Sequence, residues 1–250
     1  LTDQPFIIDT TRLFFEFMGL RVLSSFYMAY SVDRDEDGNL VELSSTRGKG
    51  PKEMIARFEI AGTLKPEFRT RLETALQERL AIARNVVTDF KRMKLRMKSI
   101  SNSYGILLDG DVGSHPTEMV HEAKSLIEWI LADNFILMGI TFIPAGTKAT
   151  DGPCAERQYG HTTIPSDELL CVEHKLVNAN AVSTKSGSEE LDALADQNWI
   201  LAYKGQEESL IHRAGKIDNF LLRSYNDEGE FEGYYHLRGL FTFKAIQTPG

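Results

Sequence analysis

Long hydrophobic runs are missing from this chain. The most apolar stretch, residues 135–143, is interrupted by Gly139 and Thr141. It is about half the length of the roughly eighteen uninterrupted apolar residues that a helical membrane span requires, so no membrane-spanning helix is expected. Cysteine is nearly absent: Cys154 and Cys171 are the only two, too few for the disulfide framework of small secreted domains. A reducing compartment such as the cytoplasm, or a virion, is the default setting. Basic charge is also short, with 28 Lys and Arg against 36 Asp and Glu, a net charge of −8. A generic grip on a nucleic-acid backbone needs a basic face, so nucleic acid is an unlikely partner. No Gly-x-Ser-x-Gly elbow starts a serine hydrolase site, and no Gly-x-Gly-x-x-Gly turn marks dinucleotide binding. The chain opens at Leu1 without a basic-then-apolar leader. It carries no recognisable family signature.

What is present is one long helical pattern, residues 66–100. Neither glycine nor proline occurs between Glu67 and Tyr104. Phe68, Leu72, Leu76, Ala83, Val86, Phe90, Met93, Met97 and Ile100 recur at steps of three and four or their multiples, which places them on one stripe. Pro66 suits a first helical position, where its missing N–H has no partner to lose. Thirty-five residues make a rod of roughly 50 Å. A compact body of 250 residues is about 45–50 Å across, so the rod crosses the molecule or protrudes from it. A run of poor helix formers, Asn85 to Asp89, is its expected weak point. Lys91, Arg92, Lys94, Arg96 and Lys98 read as a basic end complementing the helix dipole.

Around this rod the pattern predicts an α+β fold: the long central helix, a second amphipathic helix, an N-terminal hairpin and a mainly antiparallel C-terminal sheet. A first helix is expected over 11–26, apolar nearly all round, with Asp9 or Thr10 as its cap. Strands are expected over 26–32 and 40–45, joined by a turn ending Asp37-Gly38-Asn39, with a further strand at 55–60. The second amphipathic helix falls in 114–133. Strands follow at 103–112, 135–143, 168–177, 199–203, 220–225 and 234–246, with a short helix over 188–195. The organisation expected is one domain, 1–250, made of an arm (1–65), a helical core (66–133) and a β-rich part (134–250) with a long loop at 144–167.

Three constellations carry candidate chemistry. Asp33, Asp35 and Asp37, followed by Gly38, spell the first half of a calcium loop, although Ser44 stands where the closing bidentate glutamate belongs. Calcium is therefore a candidate weak ligand, and an acidic hairpin tip is the plainer reading. Asp109 and Asp111 end an expected strand as an Asp-x-Asp pair, hard oxygen ligands of the kind magnesium or calcium takes. Cys154, His161, Cys171 and His174 offer a zinc set, but Cys171 and His174 lie three apart on an expected strand and so point to opposite faces. Glu173 and Lys175 share a face, and with Asp151 upstream they resemble the Asp…Glu-x-Lys arrangement of restriction-type nucleases. That resemblance implies carboxylates holding magnesium and a lysine assisting the attacking hydroxide.

From these features the sequence predicts a structural subunit of a larger homo-oligomeric particle, of virion, tail or secretion type, with no cofactor. It would associate through Phe14, Phe15, Phe17, Phe90 and Met97 in a homo-oligomer or multi-protein assembly. The competing expectation is a metal-dependent phosphodiesterase or nuclease using Asp151, Glu173 and Lys175.

Overall fold

A computed structural model describes residues 1–44, 51–110, 116–144, 199–226 and 228–243. Its element order is α1 (Ile7–Phe17), β1 (Val22–Arg34), β2 (Leu40–Ser44), β3 (Lys52–Ile60), α2 (Pro66–Asp109), α3 (Thr117–Trp129), a π-helical turn (Ile130–Asn134), β4 (Phe135–Pro144), β5 (Ile200–Glu208), β6 (Lys216–Tyr225) and β7 (Phe231–Phe241). The fold is α+β, with three helices and two antiparallel sheets among the described residues. The chain divides into two compact units. Unit 1 holds 1–87 with 210–214, and unit 2 holds 88–209 with 215–250.

Unit 1 is a three-stranded sheet, order β2-β1-β3, with α1 and the first part of α2. Helix α1 ends much earlier than the apolar pattern suggests, and the reason is a Schellman motif. The Leu20 N–H reaches the Phe15 carbonyl at 2.8 Å and the Gly19 N–H reaches Glu16 at 2.9 Å. Gly19 sits at φ 66°, the left-handed conformation that this cap requires and glycine accepts without cost. Leu20 then packs on the cluster of Phe14, Phe15 and Leu72, as the motif's hydrophobic contact should. The chain leaves as a strand, not as more helix. Asp9 and Thr10 lie inside α1, which has no side-chain cap.

Unit 2 is a four-stranded antiparallel sheet, order β4-β7-β6-β5, with the rest of α2 and with α3. Helix α2 is 44 residues long and unbroken through Asn85–Asp89, and the division between the units falls inside that stretch. Residues 103–109 of the expected strand are instead the helix's last turns. Met93, Met97, Ile100, Tyr104 and Leu107 continue the buried stripe at steps of four and three, and the Gly110 N–H closes on Ile106 at 3.0 Å. Asp109 therefore ends a helix, and Asp111 lies outside the described residues. The basic cluster sits mid-helix, with no basic residue in the last turn, so it does not complement the dipole. Lys94 instead pairs with Asp133 at 2.7 Å.

The unit 2 core fills with aromatics. Phe135 meets Phe220 and Phe241 edge-on at 5.4 and 5.6 Å, and Tyr104 meets Trp199 at 5.6 Å. The Tyr104 hydroxyl, fully buried, donates to the Arg223 carbonyl at 2.5 Å, which satisfies its polar end. The hairpin β6–β7 turns at Asn226, whose Oδ1 accepts from the Glu228 and Glu230 N–H groups, with Gly229 at φ 79°.

Candidate functional site

The densest polar constellation lies on one face of the unit 2 sheet. Asn219 and Arg238 are registered opposite one another on β6 and β7, and Tyr203 is opposite Asn219 on β5. His236 stands two residues from Arg238, and Thr141 of β4 is its cross-strand partner. Alternation along the strands puts these side chains on a common face. Asn219, Arg238, His236 and Thr141 are all buried, at 1–5% exposure. These side chains form a polar layer inside the protein interior.

The hydrogen bonds fix the state of this row. Asn219 Nδ2 donates to the Ile217 carbonyl at 3.2 Å, which turns Oδ1 toward His236 Nε2 at 2.9 Å. An amide oxygen only accepts, so Nε2 carries the proton, and the Tyr203 hydroxyl oxygen 3.1 Å away takes a share of the same N–H. His236 is thereby committed as a donor at Nε2. The row is a hydrogen-bonded network that links β5, β6 and β7. At the end of the sheet, Lys204 pairs with the buried Asp218 at 2.5 Å.

Unit 1 offers a groove of about 470 Å³ where α1 meets β1, lined by Arg12, Glu16, Leu20, Val22, Leu23, Ser24 and Ser25. Arg12 donates to Ser25 Oγ at 3.0 Å across it. Close to the start of α1, His212 makes contacts within unit 1. Its N–H donates to Thr10 Oγ1 at 3.1 Å, its ring lies 5.0 Å from Phe6, and Nδ1 stands 3.4 Å from the Asp9 carboxylate. Burial pushes the His212 imidazole below its usual range; Asp9 pulls the other way and Arg213 adds to the depression. A histidine depressed in the folded state is protonated more readily when unfolded. Its contribution to stability is present above the unfolded value of about 6.5 and is lost as pH falls through the folded one. Unit 1 is therefore expected to lose stability on acidification below about pH 6.5. His212→Asn, which suits the φ of 65° there, should flatten that dependence in thermal melts taken across the range.

The hairpin aspartates are placed as a turn. Asp35 accepts the Asn39 N–H at 2.8 Å and Asn39 Nδ2 at 3.1 Å, and these bonds hold its carboxyl below the usual range. The Arg34 guanidinium donates to the Gly38 carbonyl at 2.8 Å and pairs with Glu53 at 2.7 Å. Among the described residues no group of three or more His, Cys, Asp or Glu is arranged to hold a metal ion, Asp33, Asp35 and Asp37 included. Asp151, Glu173 and Lys175 lie outside the described residues, as do Cys154, His161, Cys171 and His174.

The residues expected to form an interface divide. Phe14, Phe15 and Met97 are buried at 1%, 5% and 0%, inside the cores of their own units, while Phe17 and Phe90 are 44% and 37% exposed. Phe14 and Phe15 pack with Leu72, and Leu64, Phe68 and Leu76 close around them. Along the apolar side of the long helix, Leu72, Ala83, Val86, Met93, Met97 and Ile100 are buried, while Phe90 is not. The polar row on β6 and β7 escaped sequence reasoning, because alternation there hides among apolar neighbours such as Leu221 and Leu237.

Residues 1–76 match the family described as "Glutamate dehydrogenase, ACT1 domain". Two curated proteins match nearly the whole chain, both called NAD-specific glutamate dehydrogenase. The one from Halomonas elongata is 25% identical over 96% of this chain, and the one from Pseudomonas aeruginosa is 26% identical over 96%. The chain spans 14% of the length of each. No solved structure matches it. These similarities overturn both functional expectations. A structural subunit of a virion, tail or secretion assembly gives way to likeness with a dehydrogenase, and so does the nuclease of Asp151, Glu173 and Lys175. Of the residues expected to face a partner, Phe14, Phe15 and Met97 are buried within their own units.

Proposed function

We propose that this chain works as one segment of a large NAD-specific glutamate dehydrogenase-type enzyme and does not itself carry the hydride-transfer centre. The observation that carries this reading is the match of 96% of the chain to a 14% slice of two such enzymes. The family match over residues 1–76 falls within unit 1, which supports reading that unit as a module of its own.

The described residues do not fit the nicotinamide cofactor. A dinucleotide is normally held at the C-terminal ends of parallel strands, where a glycine-rich turn leads into a helix and presents N–H groups to the pyrophosphate. Every strand pair in both sheets here is antiparallel. Residues 61–65, which lead from β3 into α2, contain the single glycine Gly62. NAD therefore belongs to other parts of the longer enzyme in this reading. What the segment brings is two folded units, a groove beside α1 and a buried polar row on one sheet face. These are parts suited to holding and adjusting an enzyme rather than performing its chemistry.

Equilibrium dialysis with NAD tests the division of labour. A polypeptide of the relatives' full length that includes this chain should bind the cofactor saturably, and the 250-residue chain should not. Saturable NAD binding to the chain alone would overturn the reading.

A further inference from the structure

The five cations of α2, Lys91, Arg92, Lys94, Arg96 and Lys98, crowd into eight residues of a chain whose net charge is −8. They sit mid-helix, where the dipole gives no reason for them. Lys94 is answered by Asp133. Arg92 and Arg96 lie one turn apart, as like charges that repel on a helix surface. Asp89 reaches Arg92 only at 3.5 Å, and half of the Arg92 side chain stays exposed.

A cavity of about 300 Å³ opens on these two arginines, and Leu95 and Ser99 complete its lining among the described residues. Positions 92, 95, 96 and 99 follow the i, i+3, i+4, i+7 spacing of one helix side. That side differs from the buried stripe of Met93, Met97 and Ile100. The cations are sorted by position as well. Arginine stands at both cavity positions, whereas Lys91 and Lys98 lie outside the lining. A guanidinium offers a planar fork of donors that matches an oxyanion, which an ammonium does not. Arg96 is also held in place, hydrogen-bonded to the hydroxyl of Tyr235 on β7, a side chain only 6% exposed. A donor fixed before its ligand arrives costs less to order on binding. Ser99 adds a hydroxyl, and Leu95, 57% exposed, adds an apolar wall.

We propose that Arg92, Arg96 and Ser99 form a binding site for a phosphate dianion, free or as the terminal group of a phosphomonoester. The dianion sits between the two guanidinium groups, accepts from both and from the Ser99 hydroxyl, and cancels their mutual repulsion. A terminal phosphate turns three oxygens toward these three donor groups, where a carboxylate has only two. The cavity is at the lower end of the range for small-molecule sites, which leaves room for an organic substituent against Leu95. Both phosphates of NAD are diesters without a terminal dianion, so NAD is not expected to compete. The proposal stands apart from the dehydrogenase reading: it depends on unit 2 alone and survives if that reading fails.

Titration calorimetry of the 250-residue chain with inorganic phosphate and with phenyl phosphate tests it. Inorganic phosphate should bind saturably at one site per chain. Arg92→Gln and Arg96→Gln should each weaken that binding by about tenfold or more, as loss of a charge-assisted hydrogen bond implies. Lys98→Gln, outside the lining, should bind as the wild type does. Tighter binding of phenyl phosphate, with the gain removed by Leu95→Ala, assigns the site to phosphomonoesters; equal or weaker binding assigns it to free phosphate. Failure of both probes to bind saturably overturns the proposal. A loss in Lys98→Gln as large as in the arginine variants overturns it too, since that marks a diffuse charge effect. Should the variants fail to fold, nuclear magnetic resonance of the wild type decides. The Arg92 and Arg96 Nε–H signals must shift saturably with phosphate, and signals that stay in place refute the site.

Discussion

Gly239→Ala is expected to destabilise unit 2 by about 3 kcal/mol, at the upper end of what overpacking costs. Gly239 lies on β7 opposite Leu137, beside the register shift between Leu137 and Gly139. A Cβ placed there would stand 2.0 Å from the Ile136 carbonyl oxygen and 2.6 and 2.8 Å from the Phe135 ring. The first neighbour is backbone and cannot swing aside without breaking the ladder. The second is wedged edge-on between Phe220 and Phe241 and is 4% exposed. The constraint is steric and has nothing to do with backbone conformation. Gly105→Ala in α2 is the matching control: an added Cβ meets nothing nearer than Lys124 Nζ at 3.8 Å. Alanine there should stabilise by about 0.5–1 kcal/mol, the ordinary gain over glycine in a helix. Urea denaturation of both variants reads the two signs side by side, and a loss under about 1 kcal/mol at Gly239 would refute the close packing of β4 on β7.

Phe14→Ala should cost unit 1 about 3–5 kcal/mol, the range for deleting a fully buried aromatic side chain. Phe14 is 1% exposed and packs with Phe15 and Leu72, its ring 5.9 Å from the Arg79 guanidinium. Were this residue part of an external interface, as the helical pattern alone suggests, alanine would weaken association and spare the fold. Burial in the unit's own core predicts the reverse. Thermal melts read together with sedimentation separate the two: the melting point falls sharply, while whatever chain folds keeps the wild-type oligomeric state.

Much of the fold was legible because it follows from periodicity. The stripe from Leu72 to Ile100 could only be a helix, and the alternation in β3 and the Asp37-Gly38-Asn39 turn marked the N-terminal hairpin region. Two misreadings have definite causes. In α1 the apolar content of Phe17, Leu20, Val22 and Leu23 outweighed Gly19, whose left-handed cap stops the helix whatever follows it. Around Tyr104 the glycine at 105 and the Asp-Gly pair suggested a strand and turn, yet the spacing Ile100, Tyr104, Leu107 was still helical. The site was less legible still. The row Tyr203, Asn219, His236 and Arg238 is assembled by pairing three strands, and no local spacing records which residues register across a sheet. The cover over Phe14 and Phe15 was hidden for the same reason, since it comes from residues distant in sequence such as Phe58, which meets Phe15 at 5.5 Å.

That this chain is one segment of a glutamate dehydrogenase-type enzyme, and not its catalytic part, is our proposal. Glutamate-dependent reduction of NAD, followed by the near-ultraviolet absorbance of the reduced nicotinamide, tests it most directly. The account predicts turnover by a polypeptide of the relatives' full length that contains this chain, and none by the 250 residues alone. Turnover by the isolated chain, or a full-length polypeptide that never reduces NAD with glutamate, would contradict it.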